Sequence, residues 1–133
     1  MQQTRRRSVP SIDHRHHFEP RAASVRAARR VVADALEDSH FTGDADTVLL
    51  LVSELVTNAI RHAATPFDLA VRVDGSQVTV EVVDHDRTHP PRLRNPRPDD
   101  TSGRGLRIVD ELSTSWGTEP VAPDAKRVWF RCS

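Results

Sequence analysis

The chain of 133 residues has no tyrosine, one lysine and one cysteine. A single thiol, Cys132, cannot form a disulfide within the chain, so no covalent framework supports the core. Net charge is also missing: 19 Lys and Arg residues balance 19 Asp and Glu, which leaves no global field to draw the protein onto nucleic acid or an anionic membrane. Partners must be selected by local sites, and direct contact with nucleic acid or membrane is not expected. No stretch resembles a secretory signal or a membrane span, so a cytoplasmic address is expected by default. Familiar nucleotide and metal patterns are absent as well. There is no GxxxxGK[ST], and Gly103-Arg104-Gly105 lacks the third glycine of GxGxxG and follows a loop. The histidines of "HRHH" have neither HExxH nor Cys/His spacing, which disfavours a zinc site.

The length suits one domain, able to bury roughly two thirds of its unfolded surface. Residues 1–13 are polar, basic and unpatterned and read as a disordered leader, leaving residues 14–133 as the domain. Residues 22–37 place Val25, Ala28, Val32 and Leu36 at helical steps. Cap residues follow at Gly43, Asp44 and Asp46, ahead of a second helix over about 44–63 that Pro66 closes. The period then changes to two: Leu69, Val71 and Val73 alternate with Asp68, Ala70 and Arg72, then Val78, Val80 and Val82 with Thr79 and Glu81, around the turn "DGS", an antiparallel hairpin. Residues 86–102 hold four prolines and no periodicity, as a lid or binding loop does. A third helix, "GLRIVDEL", carries Leu106, Val109 and Leu112 on one face, and "KRVWFRC" closes the chain as a strand. A weak first strand is expected near 14–18. This order gives an α+β, two-layer sandwich with helices on one face of a mixed, mostly antiparallel sheet.

Three segments could carry chemistry. In "LVSELVTNAIRHA", Glu54 and Asn58 share a helix face, with β-carbons about 5–6 Å apart. A base beside a cation ligand fits that spacing, and so does an ordinary solvated face. Asp84 shares strand parity with Val78, Val80 and Val82, so it sits at the inner rim of the core if they face the helices. Such a carboxylate needs a partner, by burial alone as much as by function. Gly103 and Gly105 precede a helix whose free N–H groups favour an anion, although the same pair also makes a common turn.

Together these segments resemble the GHKL ATPases, the superfamily of gyrase, heat-shock chaperones, histidine kinases and MutL. "ELVTNAIRHA" is similar to their N box, "VEVVDHD" to the adenine box and "SGRGLRIVDELSTSWG" to the glycine-rich lid box. The short, single-domain, actinobacterial anti-sigma-factor serine/threonine kinases also share the look of "HHFEPRAASVRAARR", of the Trp after the third helix and of "KRVWF". Residues 14–131 are covered. The resemblance implies the Bergerat fold, ATP and Mg²⁺ as cofactors, and a lid at about 86–105. It further implies that Glu54 is the general base or a water-orienting carboxylate, that Asn58 ligates Mg²⁺, and that Asp84 accepts from the adenine amino group. Nucleotide contacts are carried over to Gly103, Arg104, Gly105 and Leu106; Lys126, on the inward parity of Val128, could contact a phosphate or the nucleotide, or could snorkel to the surface. The implied partners are a sigma factor and a STAS-domain anti-anti-sigma protein whose serine is phosphorylated, and the resemblance allows a homodimer. Two departures stand out. Asp84-His85-Asp86-Arg87-Thr88 lacks both glycines of Asp-x-Gly-x-Gly, and Ala125-Lys126 replaces the usual Gly followed by Thr or Lys. They leave room for an alternative, a non-catalytic ATP-binding module that works by partner binding.

Overall fold

The structure is a computed structural model that describes residues 15–62, 65–85 and 101–133, with only the backbone of residues 62, 101–105 and 122. The expected leader and residues 86–100 of the expected lid lie outside the described residues.

Helix α1 (Ala23–Asp38) buries Ser24, Ala28, Val32 and Leu36, one residue per turn. It ends where His40 adopts φ 55° and lets Phe41 N–H reach Leu36 O at 2.9 Å and His40 N–H reach Glu37 O at 3.1 Å. Both bonds belong to the Schellman stop, which satisfies carbonyls the helix leaves open. Helix α2 (Ala45–His62) starts on Asp44, whose Oδ1 accepts from Thr47 N–H at 3.2 Å while its Oδ2 accepts from the Thr47 hydroxyl at 2.8 Å. These bonds hold the Asp44 carboxyl below the usual carboxylate range, the hydroxyl first and the amide second. A carboxyl depressed by folding contributes stability above its unfolded pKa and loses it as pH falls through the folded value. Asp44→Ala is therefore expected to lower stability at neutral pH but not in acid well below the carboxylate range. Urea melts at the two pH values check this; equal losses at both would remove the cap from the explanation.

Five strands follow the order β1-β2-β3-β5-β4: β1 (His16–Phe18), β2 (Phe67–Asp74), β3 (Gln77–Asp84), β4 (Ser115–Ala122) and β5 (Ala125–Cys132). Among the described residues every pairing is antiparallel. Gly75 and Ser76 alone separate β2 from β3, and Gly75 takes φ 67°, which a tight hairpin turn demands and glycine supplies without strain. Strand β4 is not foreseen by the sequence reading. It contains Gly117 and Pro120, both strand breakers, and both have a reason here. A Cβ on residue 117 would lie 2.9 Å from the Trp129 indole nitrogen, and proline is tolerated on an edge strand. Pro123 and Asp124 then turn the chain back, with Ala122 opposite Ala125.

The inner face of the sheet meets the helices through Phe67, Leu69, Val78, Val80, Val82, Phe130 and Cys132, packed on Val52, Leu55, Val56 and their neighbours. Helix α3 (Thr101–Leu112) contributes Val109, fully buried, but Leu112 is 47% exposed, because the helix ends there and the chain leaves for β4. Trp116 ties the two together, its indole N–H donating to Asp110 Oδ1 at 2.8 Å.

Alternation in β3 reads as one apolar face and one polar face, Thr79 and Glu81 lying on the polar one. Instead Thr79, Glu81 and Val83 are buried on the helix-free face, with Glu81 at 0% exposure. Trp129 stands opposite Glu81 in the ladder, and two guanidiniums close over the carboxylate: Arg15 at 2.9 Å and Arg127 at 3.7 Å. The Arg15 contact is close but poorly angled, so it counts as an ion pair rather than a hydrogen bond. Arg127 also donates to Glu119 of β4. Long side chains of neighbouring strands thus cover a strand that periodicity alone would leave half wet.

Candidate nucleotide site

Helix α2 packs against α1 on one flank and α3 on the other, with β3 and β5 beneath it. Its apolar side, Val48, Leu51, Val52, Leu55, Val56 and Ala59, fills the core. The α1 flank is fixed by Arg29, whose Nη1 donates to Leu49 O at 3.1 Å and to Ser53 Oγ at 2.7 Å, while Ser53 Oγ donates to Leu49 O at 3.1 Å. At 100° per residue, Glu54 and Asn58 lie about 100° and about 140° round from Ser53, on the flank away from α1, toward α3. Both are half-buried. Among the described residues no hydrogen bond or ion pair engages either one. No sequence signal singled out Arg29 or Ser53; each is one of many Arg and Ser residues, and only the packing angle of the two helices reveals the clasp.

Asp84 ends β3 on the inner face and is 2% exposed. It stands opposite Phe67 on β2 and Lys126 on β5. Lys126 Nζ lies 3.9 Å from Asp84 Oδ2, which supplies the opposite charge that a buried carboxylate needs. The inward parity of Lys126 with Val128 holds, since their partners Asp84 and Val82 share that face. The next residue, His85, is anchored outside the core: its N–H donates to Thr65 Oγ1 at 3.3 Å. Its ring Nε2 is 4.0 Å from Asp68 Oδ2, and His17 Nδ1 is 2.7 Å from Asp68 Oδ1. These contacts fix how the chain leaves β3.

Helix α3 corrects one expectation. Gly103 and Gly105 do not precede the helix but lie inside it, because it begins at Thr101. The first four N–H groups of a helix have no intrahelical acceptor, so by position Gly103 and Arg104 remain in the free turn. Gly105 falls one residue beyond it, and Leu106 is half-buried. The anion-binding capacity of this end therefore rests on residues one step earlier than the glycine pattern suggests.

A model of the histidine kinase-like ATPase domain matches residues 18–131. The chain belongs to this family. The solved structure of Acinetobacter baumannii histidine kinase AdeS is similar with a TM-score of 0.54 at 13% identity, covering 90% of this chain and 67% of that chain; such identity establishes the fold alone. No curated protein matches the chain. Membership in this ATPase family implies ATP binding and, in general terms, ATP-dependent phosphate transfer. Among the described residues, no helix of this ATPase domain is long and apolar enough to cross a membrane, and no three His, Cys, Asp or Glu residues are grouped to hold a metal ion.

The residues present fit ATP. A buried acceptor stands at the rim of the sheet in Asp84, and an oxygen-bearing carboxylate and amide face α3 from α2. A hard cation such as Mg²⁺ takes oxygen ligands and keeps several of them from water and phosphate, so a single amide is a sufficient protein contribution. Asp84→Asn is expected to weaken ATP binding by roughly 1–3 kcal/mol, since an amide accepts a weaker hydrogen bond than a carboxylate. Calorimetry reads this, with the melting temperature as control for the fold. Unchanged affinity would remove Asp84 from the adenine pocket.

Proposed function

We propose that this ATPase domain is a cytoplasmic serine/threonine protein kinase that acts as an anti-sigma factor. It holds a sigma factor from RNA polymerase and phosphorylates a serine of a STAS-domain antagonist, using ATP and Mg²⁺. The observation that carries the reading is the half-buried pair Glu54 and Asn58 on the α3 flank of α2, above a sheet whose inner rim carries Asp84. The resemblance of "HHFEPRAASVRAARR" and "KRVWF" to the short anti-sigma kinases supports the finer choice among ATPases.

Asp84 accepts a hydrogen bond from the adenine amino group; guanine would present a carbonyl there, acceptor against acceptor. Asn58 holds Mg²⁺ through its amide oxygen, and when bound the ion neutralises charge on the phosphates. The free N–H groups of the first turn of α3 donate to phosphate oxygens. Glu54 takes the proton of the substrate serine as its oxygen attacks the γ-phosphorus and the bond to ADP breaks. The chemistry demands little of the protein beyond positioning and charge stabilisation.

The test is incubation of the full chain with labelled ATP, Mg²⁺ and candidate STAS proteins. Label on a partner serine supports the kinase. ATP and partner binding with no transfer to any candidate favours the second reading, a nucleotide-binding module that acts by association. The missing glycines after Asp84 favour that second reading, because they change the wall of the adenine pocket. Self-association into a homodimer is part of the same proposal and is read by sedimentation.

A further inference from the structure

We propose that Lys126 reads the adenine base, donating a hydrogen bond to ring nitrogen N1 while Asp84 accepts from the neighbouring amino group. The inference rests on the nucleotide reading above and narrows it from a general nucleotide contact to one atom of the base.

The ladder fixes the pair. Asp84 and Lys126 are direct partners in the β3–β5 register, so their side chains leave the sheet side by side on the inner face. Nζ lies 3.9 Å from Oδ2, beyond hydrogen-bond reach. The ammonium is therefore not committed to a hydrogen bond with Asp84, and an ionised carboxylate offers several acceptor positions, so the pair can engage a third molecule while the charges still balance. The lysine side chain is only 19% exposed, and its ammonium lies beside the buried carboxylate.

A carboxylate beside an ammonium is an acceptor beside a donor. Adenine carries the matching array on one edge, where the N6 amino donor and the N1 acceptor are separated by a single ring carbon. A base entering with N6 toward Asp84 meets Lys126 at N1, and both buried polar groups stay satisfied. Guanine held in the same place meets two mismatches. Its O6 faces the carboxylate, and its N1–H faces the ammonium. Lys126 thereby adds to a selectivity that Asp84 alone would carry.

The experiment measures affinities of the full chain for ATP, 1-deaza-ATP (N1 replaced by C–H) and GTP by calorimetry, with wild type and Lys126→Met. A hydrogen bond from a charged donor predicts that wild type binds 1-deaza-ATP roughly ten- to a hundredfold more weakly than ATP. Lys126→Met loses the same factor for ATP, shows no further loss for 1-deaza-ATP and discriminates less between ATP and GTP. Equal binding of ATP and 1-deaza-ATP by wild type overturns the proposal. So does a Lys126→Met variant that weakens both nucleotides equally, the signature of a phosphate contact or a purely structural ion pair. If Lys126→Met fails to fold by circular dichroism, the wild-type comparison of ATP with 1-deaza-ATP decides alone. ATP binding without dependence on N1 defeats only this inference, whereas no ATP binding by wild type defeats the nucleotide reading with it.

Discussion

Glu54→Gln is expected to lower phosphate transfer to the partner serine by roughly 10²- to 10⁴-fold, the usual contribution of a positioned general base, and to leave ATP binding nearly unchanged. Glutamine keeps the size of the side chain and its place on the flank of α2 but cannot take a proton. The clasp of Arg29 on Leu49 and Ser53 sits on the opposite flank and is untouched. A fall in transfer with intact nucleotide affinity therefore isolates the base role. If transfer persists at wild-type rates, Glu54 is not the base. If ATP affinity collapses together with transfer, Glu54 acts in binding instead. Single-turnover transfer and calorimetry on the same preparation separate these outcomes.

The second large effect concerns stability and lies on the other face of the sheet. Glu81→Ala should cost about 3 kcal/mol, near the low end for breaking a buried ion pair, because it leaves a buried guanidinium short of a partner. Arg127 is 5% exposed, yet it retains Glu119, which keeps the loss from the top of the range. Trp129 and Ala70 border the space that the carboxylate would vacate. Replacing both charges, Glu81→Leu with Arg127→Met, should cost less than the single change, since no buried guanidinium stays behind; Arg15 and Glu119 lose a partner, but both still reach water. Urea midpoints of the two variants make the comparison. A single variant as stable as the double would show that the pair contributes nothing.

What could be read from the letters follows from whether each choice is local. Helices α1 and α2 and the β2–β3 hairpin declare themselves through period and turn chemistry. The inward placement of Asp84 and Lys126 needs only parity counted from valines whose own side is obvious. Strand β4 was hidden because Gly117 and Pro120 are permitted by things outside the strand: an indole crossing over from β5 and an unpaired edge. The start of α3 was hidden for a related reason, since Gly103 and Gly105 are poor helix formers and the helix starts before them nonetheless. Burial of Glu81 is the least local feature. It depends on arginines far along the chain, which alternation within β3 cannot show. In the candidate site, the shared face of Glu54 and Asn58 was legible, whereas the pairing of Lys126 with Asp84 required the register of β3 against β5.

The sheet order also bears on how the chain can change length. The β2–β3 and β4–β5 hairpins each close over two residues, so neither turn tolerates much alteration. The chain between them, residues 85–114, contains α3, and β3 pairs with β5 across it. The entropy of closing a flexible loop grows only logarithmically, and doubling its length costs about 0.6 kcal/mol. An insertion in that connection that leaves α3 and its buried Val109 intact is thus cheap thermodynamically. The stretch following Asp84 can drift in length and composition over evolutionary time while the two hairpins hold Asp84 in register with Lys126.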